Sequence, residues 1–71
     1  MRFTYMFSKD ICDARLRLKL TQAECAEALH LSLREYQNIE YGKATPRLPT
    51  FLRMLDFFGL NINDYREAIS S

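Results

Sequence analysis

A chain of 71 residues makes one domain and leaves no room for a second, and its short length gives it a marginal core. It is 48% hydrophobic and 27% charged, which is the composition of an ordinary globule, and two glycines and two prolines supply too little turn chemistry for an all-β fold. The net charge of +1 does not by itself argue for a nucleic-acid partner. The longest apolar runs fall far short of a membrane span, so no membrane partner is expected.

Residues 1–7 alternate. Phe3, Tyr5 and Phe7 would face one way in a strand, with Arg2, Thr4 and Met6 facing the other. The expectation is an N-terminal arm over 1–7, ahead of a helical domain over 8–71. Such an arm either lies on its own domain or is disordered, or it forms a short β-arm that pairs between two copies.

Ser8 is placed to cap a first helix that runs to about Leu18, with Ile11, Ala14 and Leu18 at helical spacing. Thr21-Gln22-Ala23-Glu24 then has the form of a capping box. The Thr hydroxyl serves the amide three residues on, and the Glu reaches back. Leu20 and Cys25 stand at the positions of a hydrophobic staple, and a second helix should run from Gln22 to about Leu29. The same device recurs in Ser32-Leu33-Arg34-Glu35, stapled by Leu31 and Tyr36. It starts a third helix that reaches about Tyr41, where Gly42 can stop it in the left-handed conformation. So short a connection, His30 to Ser32, forces a sharp angle between the two helices, which is the geometry of a helix-turn-helix.

Gly42 to Pro46 reads as a loop, and Pro49 fits the first turn of a fourth helix. Leu48, Phe51, Leu52, Leu55 and Phe58 give that helix a broad apolar stripe, and Gly59 ends it. Asn61 can cap a fifth helix with Ile62, Tyr65 and Ile69 on one face. The fold class is all-α with five short helices.

On the third helix, Tyr36, Ile39 and Glu40 share one side, while Leu33, Arg34, Gln37, Asn38 and Tyr41 share the other. The second set suits a major groove. Arg matches guanine, Asn and Gln match adenine, and Leu can meet a thymine methyl. A solvated polar face is the bland alternative.

Two cysteines, Cys12 and Cys25, form neither a metal set nor a disulfide framework, and one histidine makes no metal site; no cofactor is expected. Reduced thiols and a cytoplasmic location follow as expectations. No nucleophile, base and orienting group stand at a recognisable spacing, and no glycine-rich phosphate loop exists. Neither an enzyme nor a small-molecule substrate is therefore indicated.

From Ile11 to Tyr65 the chain resembles the helix-turn-helix family of Cro and the phage repressors, the XRE family. Thr21 to Ala26, Leu31-Ser32, Ile39 to Lys43, Pro46, and Phe58 to Tyr65 carry the resemblance. It implies a lambda-repressor-like fold and sequence-specific binding of double-stranded DNA by a transcriptional regulator such as a repressor, acting as a homodimer. Residue by residue, it implies base reading by Leu33, Arg34, Gln37 and Asn38. It implies phosphate contacts from Gln22, Tyr41, Lys43, Thr45 and Arg47, and an interhelical ion pair between Arg15 and Glu40.

Three residues depart from the family pattern. His30 replaces a turn glycine. Cys25 replaces a larger core leucine, leaving space for Phe51, Phe57 or Phe58. Glu35 puts a negative charge on the third helix, which its place in the capping box accounts for. His30 reads as a turn residue, with a proton switch as its sharper alternative. The rival function is a protein-interaction module or antitoxin-like partner that keeps the fold without strong DNA binding. Near-neutral charge, Leu33, Glu35 and aromatic-rich termini support that rival.

Overall fold

A computed structural model describes residues 2–70 of the chain. The order is α1 (Arg2–Arg17), α2 (Gln22–Ala28), α3 (Leu33–Glu40), α4 (Leu48–Phe58), a 3₁₀ turn (Ile62–Tyr65) and α5 (Arg66–Ser70). There is no strand among the described residues, and no helix among them is long and apolar enough to cross a membrane.

The expected β-arm is helix instead. Phe3 and Phe7 satisfy the alternation of a strand, but they also stand four residues apart, and with Ile11 and Ala14 they continue one buried helical stripe. Their rings stack at 5.5 Å and meet the edges of Phe51 and Tyr65 at 5.1–5.9 Å. Burial of two large aromatics in this four-ring cluster outweighs anything a lone strand could gain. Tyr5, the third member of the alternation, is exposed. Ser8 is consequently no cap: it lies inside α1, and its hydroxyl donates to the Tyr5 carbonyl at 2.9 Å.

Both capping boxes form completely. Thr21 Oγ1 accepts from the Glu24 amide at 3.0 Å, and the Thr21 amide donates to Glu24 Oε1 at 2.8 Å. Ser32 and Glu35 make the same pair of bonds, both at 3.0 Å. Their staple leucines, Leu20 and Leu31, pack against the core.

Four helices end in one way. Past each of α1 to α4 a left-handed residue is followed by an amide that reaches back to the carbonyl five residues earlier. The reaching bonds are Leu20 to Arg15 at 3.1 Å, Leu31 to Ala26 at 2.9 Å, Lys43 to Asn38 at 2.8 Å and Leu60 to Leu55 at 2.8 Å. Gly42 and Gly59 fill that position twice, and Lys19 and His30, both at φ 60°, fill it the other two times. His30 thus makes the tight turn between α2 and α3.

Two expected faces are corrected. On α4, Phe51, Met54, Leu55 and Phe58 point inward, while Leu48 and Leu52 are exposed. At the C-terminus, Tyr65 and Ala68 are buried while Ile62 and Ile69 are exposed, because a 3₁₀ turn precedes α5 and rotates the faces. Tyr65 also donates its hydroxyl to Asp10 Oδ2 at 2.7 Å and so ties this end to α1.

Candidate nucleic-acid interface

α3 is held by its inner face. Tyr36, Ile39 and Glu40 are buried, and Glu40 is the charged one. Its carboxylate accepts from Arg15 twice, Nε to Oε1 at 2.7 Å and Nη2 to Oε2 at 3.2 Å. It also accepts from the Tyr36 hydroxyl at 2.7 Å and from Gln22 Nε2 at 2.6 Å. Arg15 spends a further donor on the Leu20 carbonyl at 3.0 Å. One ion pair therefore joins α1, the loop before α2, α2 itself and α3.

Burial pushes the Glu40 carboxyl up. The hydrogen bonds from Arg15, Tyr36 and Gln22, with the attraction of the guanidinium, outweigh burial and hold the carboxyl below the usual range. Burial, reinforced by the bond donated to Glu40, raises the Tyr36 hydroxyl far above its ordinary value. At neutral pH the cluster is one cation, one anion and a neutral phenol. Among the described residues every buried side-chain polar atom has a partner.

The outer face carries the residues singled out in the sequence. Leu33 and Arg34 are exposed at the start of α3, and Gln37 and Asn38 are half-buried one turn on. Leu33, with 44% of its surface in water, is one of several large apolar side chains that face solvent. Glu35 is exposed, and its hydrogen bonding with Ser32 keeps it ionised below the usual range, with a smaller pull from the charge of Arg47. Its charge is thus used by the helix cap and partly offset by a neighbouring cation.

The residues expected at phosphates are spread around this face. Tyr41, Lys43, Thr45 and Arg47 are all exposed along the end of α3 and the following loop. Thr45 shares a hydrogen bond of 2.8 Å with the Thr4 hydroxyl, a link that anchors the loop to α1 and that the sequence did not reveal. Gln22 is half-buried and well occupied. Besides its bond to Glu40, it accepts from Gln37 Nε2 at 3.1 Å, and the Tyr41 hydroxyl lies 3.2 Å from its Nε2 and 3.4 Å from its Oε1. The structure therefore brings Gln22, Gln37, Glu40 and Tyr41 into one cluster across the α2–α3 angle. Spacing alone could not supply this, because the contacts depend on that angle.

Cys25 is buried and Cys12 half-buried, and both are free thiols. No group of three or more metal-ligating side chains forms among the described residues.

A family model described as helix-turn-helix matches residues 13–65, well over half of the chain, and the chain belongs to that family, of the Cro and phage-repressor type. Comparison with curated proteins and with solved structures found no match.

Proposed function

We propose that this helix-turn-helix domain binds double-stranded DNA sequence-specifically as a transcriptional regulator, with α3 in the major groove. One observation carries the reading. The buried Glu40 cluster fixes the inner face of α3 and reaches Gln37 at its edge through Gln22, while Leu33, Arg34, Gln37 and Asn38 line the outer side with groove-compatible chemistry. Arg34 is the residue suited to guanine, and Leu33 the one suited to a thymine methyl. Gln22, Tyr41, Lys43, Thr45 and Arg47 grip the backbone on either side and set the register without reading sequence.

The protein acts as a homodimer on a pseudo-palindromic site, with the two copies of α3 in successive major grooves about 34 Å apart. Exposed Leu48, Leu52, Ile62 and Ile69, on α4 and the C-terminal elements, offer apolar surface for a second copy. The same surface would serve the rival reading, an interaction module or antitoxin-like partner that keeps the fold.

Selection of bound sequences from a randomised duplex library at two salt concentrations separates the two readings. Enrichment of one motif, with affinity that falls steeply as salt rises, supports DNA recognition; absence of enrichment at low salt overturns it in favour of the interaction module.

A further inference from the structure

Glu40, Gln22 and Gln37 form a chain in which each link dictates the next. A carboxylate only accepts hydrogen bonds. Glu40 therefore compels Gln22 to turn its amide nitrogen inward, where Nε2 lies 2.6 Å from Oε2. The oxygen of the same amide is then left for Gln37, one turn before Glu40 on α3. An amide oxygen only accepts, so Gln37 must answer with nitrogen, and its Nε2 lies 3.1 Å from Gln22 Oε1. The orientation of the Gln37 amide is thereby decided by a buried charge that it does not touch. Gln37 is left with Oε1 and one amide hydrogen uncommitted among the described residues.

We infer that Gln22 is a positioning residue for specificity: through the Glu40–Gln22–Gln37 relay it fixes Gln37 as a hydrogen-bond acceptor toward the base edges. The inference rests on the DNA-binding reading above and goes beyond it by assigning the base. A fixed acceptor needs a donor opposite. In the major groove adenine N6 and cytosine N4 present one, whereas guanine O6 and thymine O4 present acceptors. Adenine is the better match, because its N7 also takes the remaining hydrogen of Gln37 Nε2. A glutamine free to rotate its amide would turn nitrogen toward guanine O6 and lose the distinction. Gln22 is thus more than a phosphate contact. A phosphate contact changes affinity for all sequences alike, while a relay changes the preference at one base pair.

The test compares selections from a randomised duplex library by the native protein, Gln37→Ala and Gln22→Met. Gln37→Ala identifies the base pair that Gln37 reads as the one whose preference disappears. At that pair the native protein should prefer adenine over guanine by about tenfold. Gln22→Met should bring that ratio toward parity while the preferences at other positions stay in place. An unchanged ratio in Gln22→Met, or a native preference for guanine or thymine at that pair, overturns the relay and leaves DNA recognition standing. A failure of the native protein to enrich any sequence overturns DNA recognition itself, and the relay with it.

A second measurement uses the native protein and does not depend on whether Gln22→Met folds. The Gln37 side-chain amide should be as ordered as the backbone in ¹⁵N relaxation of the free protein; motion typical of an exposed glutamine overturns the relay.

Discussion

Arg15 and Glu40 face each other with 13% and 2% of their side chains exposed and share two charge-assisted hydrogen bonds. At that burial the pair is an interior one, and its energetics are asymmetric. Removal of one partner strands a charge, whereas removal of both does not. Arg15→Met should therefore destabilise the protein by about 3–5 kcal/mol. Arg15→Met combined with Glu40→Gln should cost clearly less than the sum of the two single changes. The amide oxygen introduced by Glu40→Gln can still accept from Tyr36, and no net charge remains inside. Urea unfolding of the four proteins of this cycle checks the prediction.

The same carboxylate makes the fold sensitive to acid. Glu40 is held below the ordinary carboxyl range in the folded state, so it binds its proton later than it does in the unfolded chain. A lowered folded value contributes stability that is fully present above the unfolded value, about 4.3, and is lost as pH falls through the folded one. Glu24 and Glu35, lowered by their capping boxes, act in the same direction from exposed positions. The urea midpoint should be insensitive to these groups near neutrality and should drop on acidification below about pH 4. In Glu40→Gln the drop should be shallower, although the variant starts from a lower stability.

The left-handed positions that end the helices predict opposite signs for one type of exchange. Lys19 and His30 hold φ 60° without being glycine. That conformation costs an L-residue roughly 1–2 kcal/mol, part of which glycine returns in backbone entropy. Lys19→Gly and His30→Gly should each stabilise by about 0.5–1 kcal/mol. Gly59→Ala should destabilise by about 1 kcal/mol even though nothing lies within 4 Å of the added methyl, since the strain is in the backbone at φ +68°. Thermal unfolding resolves such changes, at about 4–8 °C per kcal/mol for a domain of this size.

For DNA binding, Arg34 and Lys43 should behave differently. Arg34→Ala should cost about 1–3 kcal/mol at one base pair and relax preference there, with other positions unaffected. Lys43→Ala should weaken binding to all sequences and reduce the slope of log affinity against log salt by about one. Titrations of a selected site and of single-base variants at several salt concentrations give both numbers. Equal losses on every sequence would remove Arg34 from the reading surface.

Local rules made the central part of the fold legible. The two boxes at Thr21 and Ser32 fix where α2 and α3 begin, and the charges at Arg15 and Glu40 could be paired because family resemblance supplied the register. What escaped was whatever depended on three-dimensional context. Lys19 gave no sign of a left-handed cap, since lysine has no preference for one. Met54 is fully buried yet stood outside the expected stripe of α4, and Leu48 and Leu52, inside that stripe, face water. At the candidate interface the outer residues of α3 followed from helical periodicity. The inward engagement of Gln22 and the Thr4–Thr45 link did not, because both join residues far apart in sequence across helix-packing angles.

The first seven residues give the sharpest case, and a prediction opposite to that for a pairing arm. A pairing arm could be deleted with loss of self-association alone. Here Phe7 is fully buried, Phe3 is 6% exposed, and both touch Phe51 and Tyr65. Phe7→Ala should cost about 3–5 kcal/mol, the usual range for an aromatic removed from a core. That is a large share of the total stability of so small a domain. Deletion of residues 1–7 removes both rings and the Thr4 anchor of the α3–α4 loop. It should abolish cooperative thermal unfolding, as followed by near-ultraviolet circular dichroism, and should weaken DNA binding only as a consequence. A deletion variant that kept a sharp transition near the native midpoint would show that the aromatic cluster is dispensable, and with it the account of why residues 2–7 are helical.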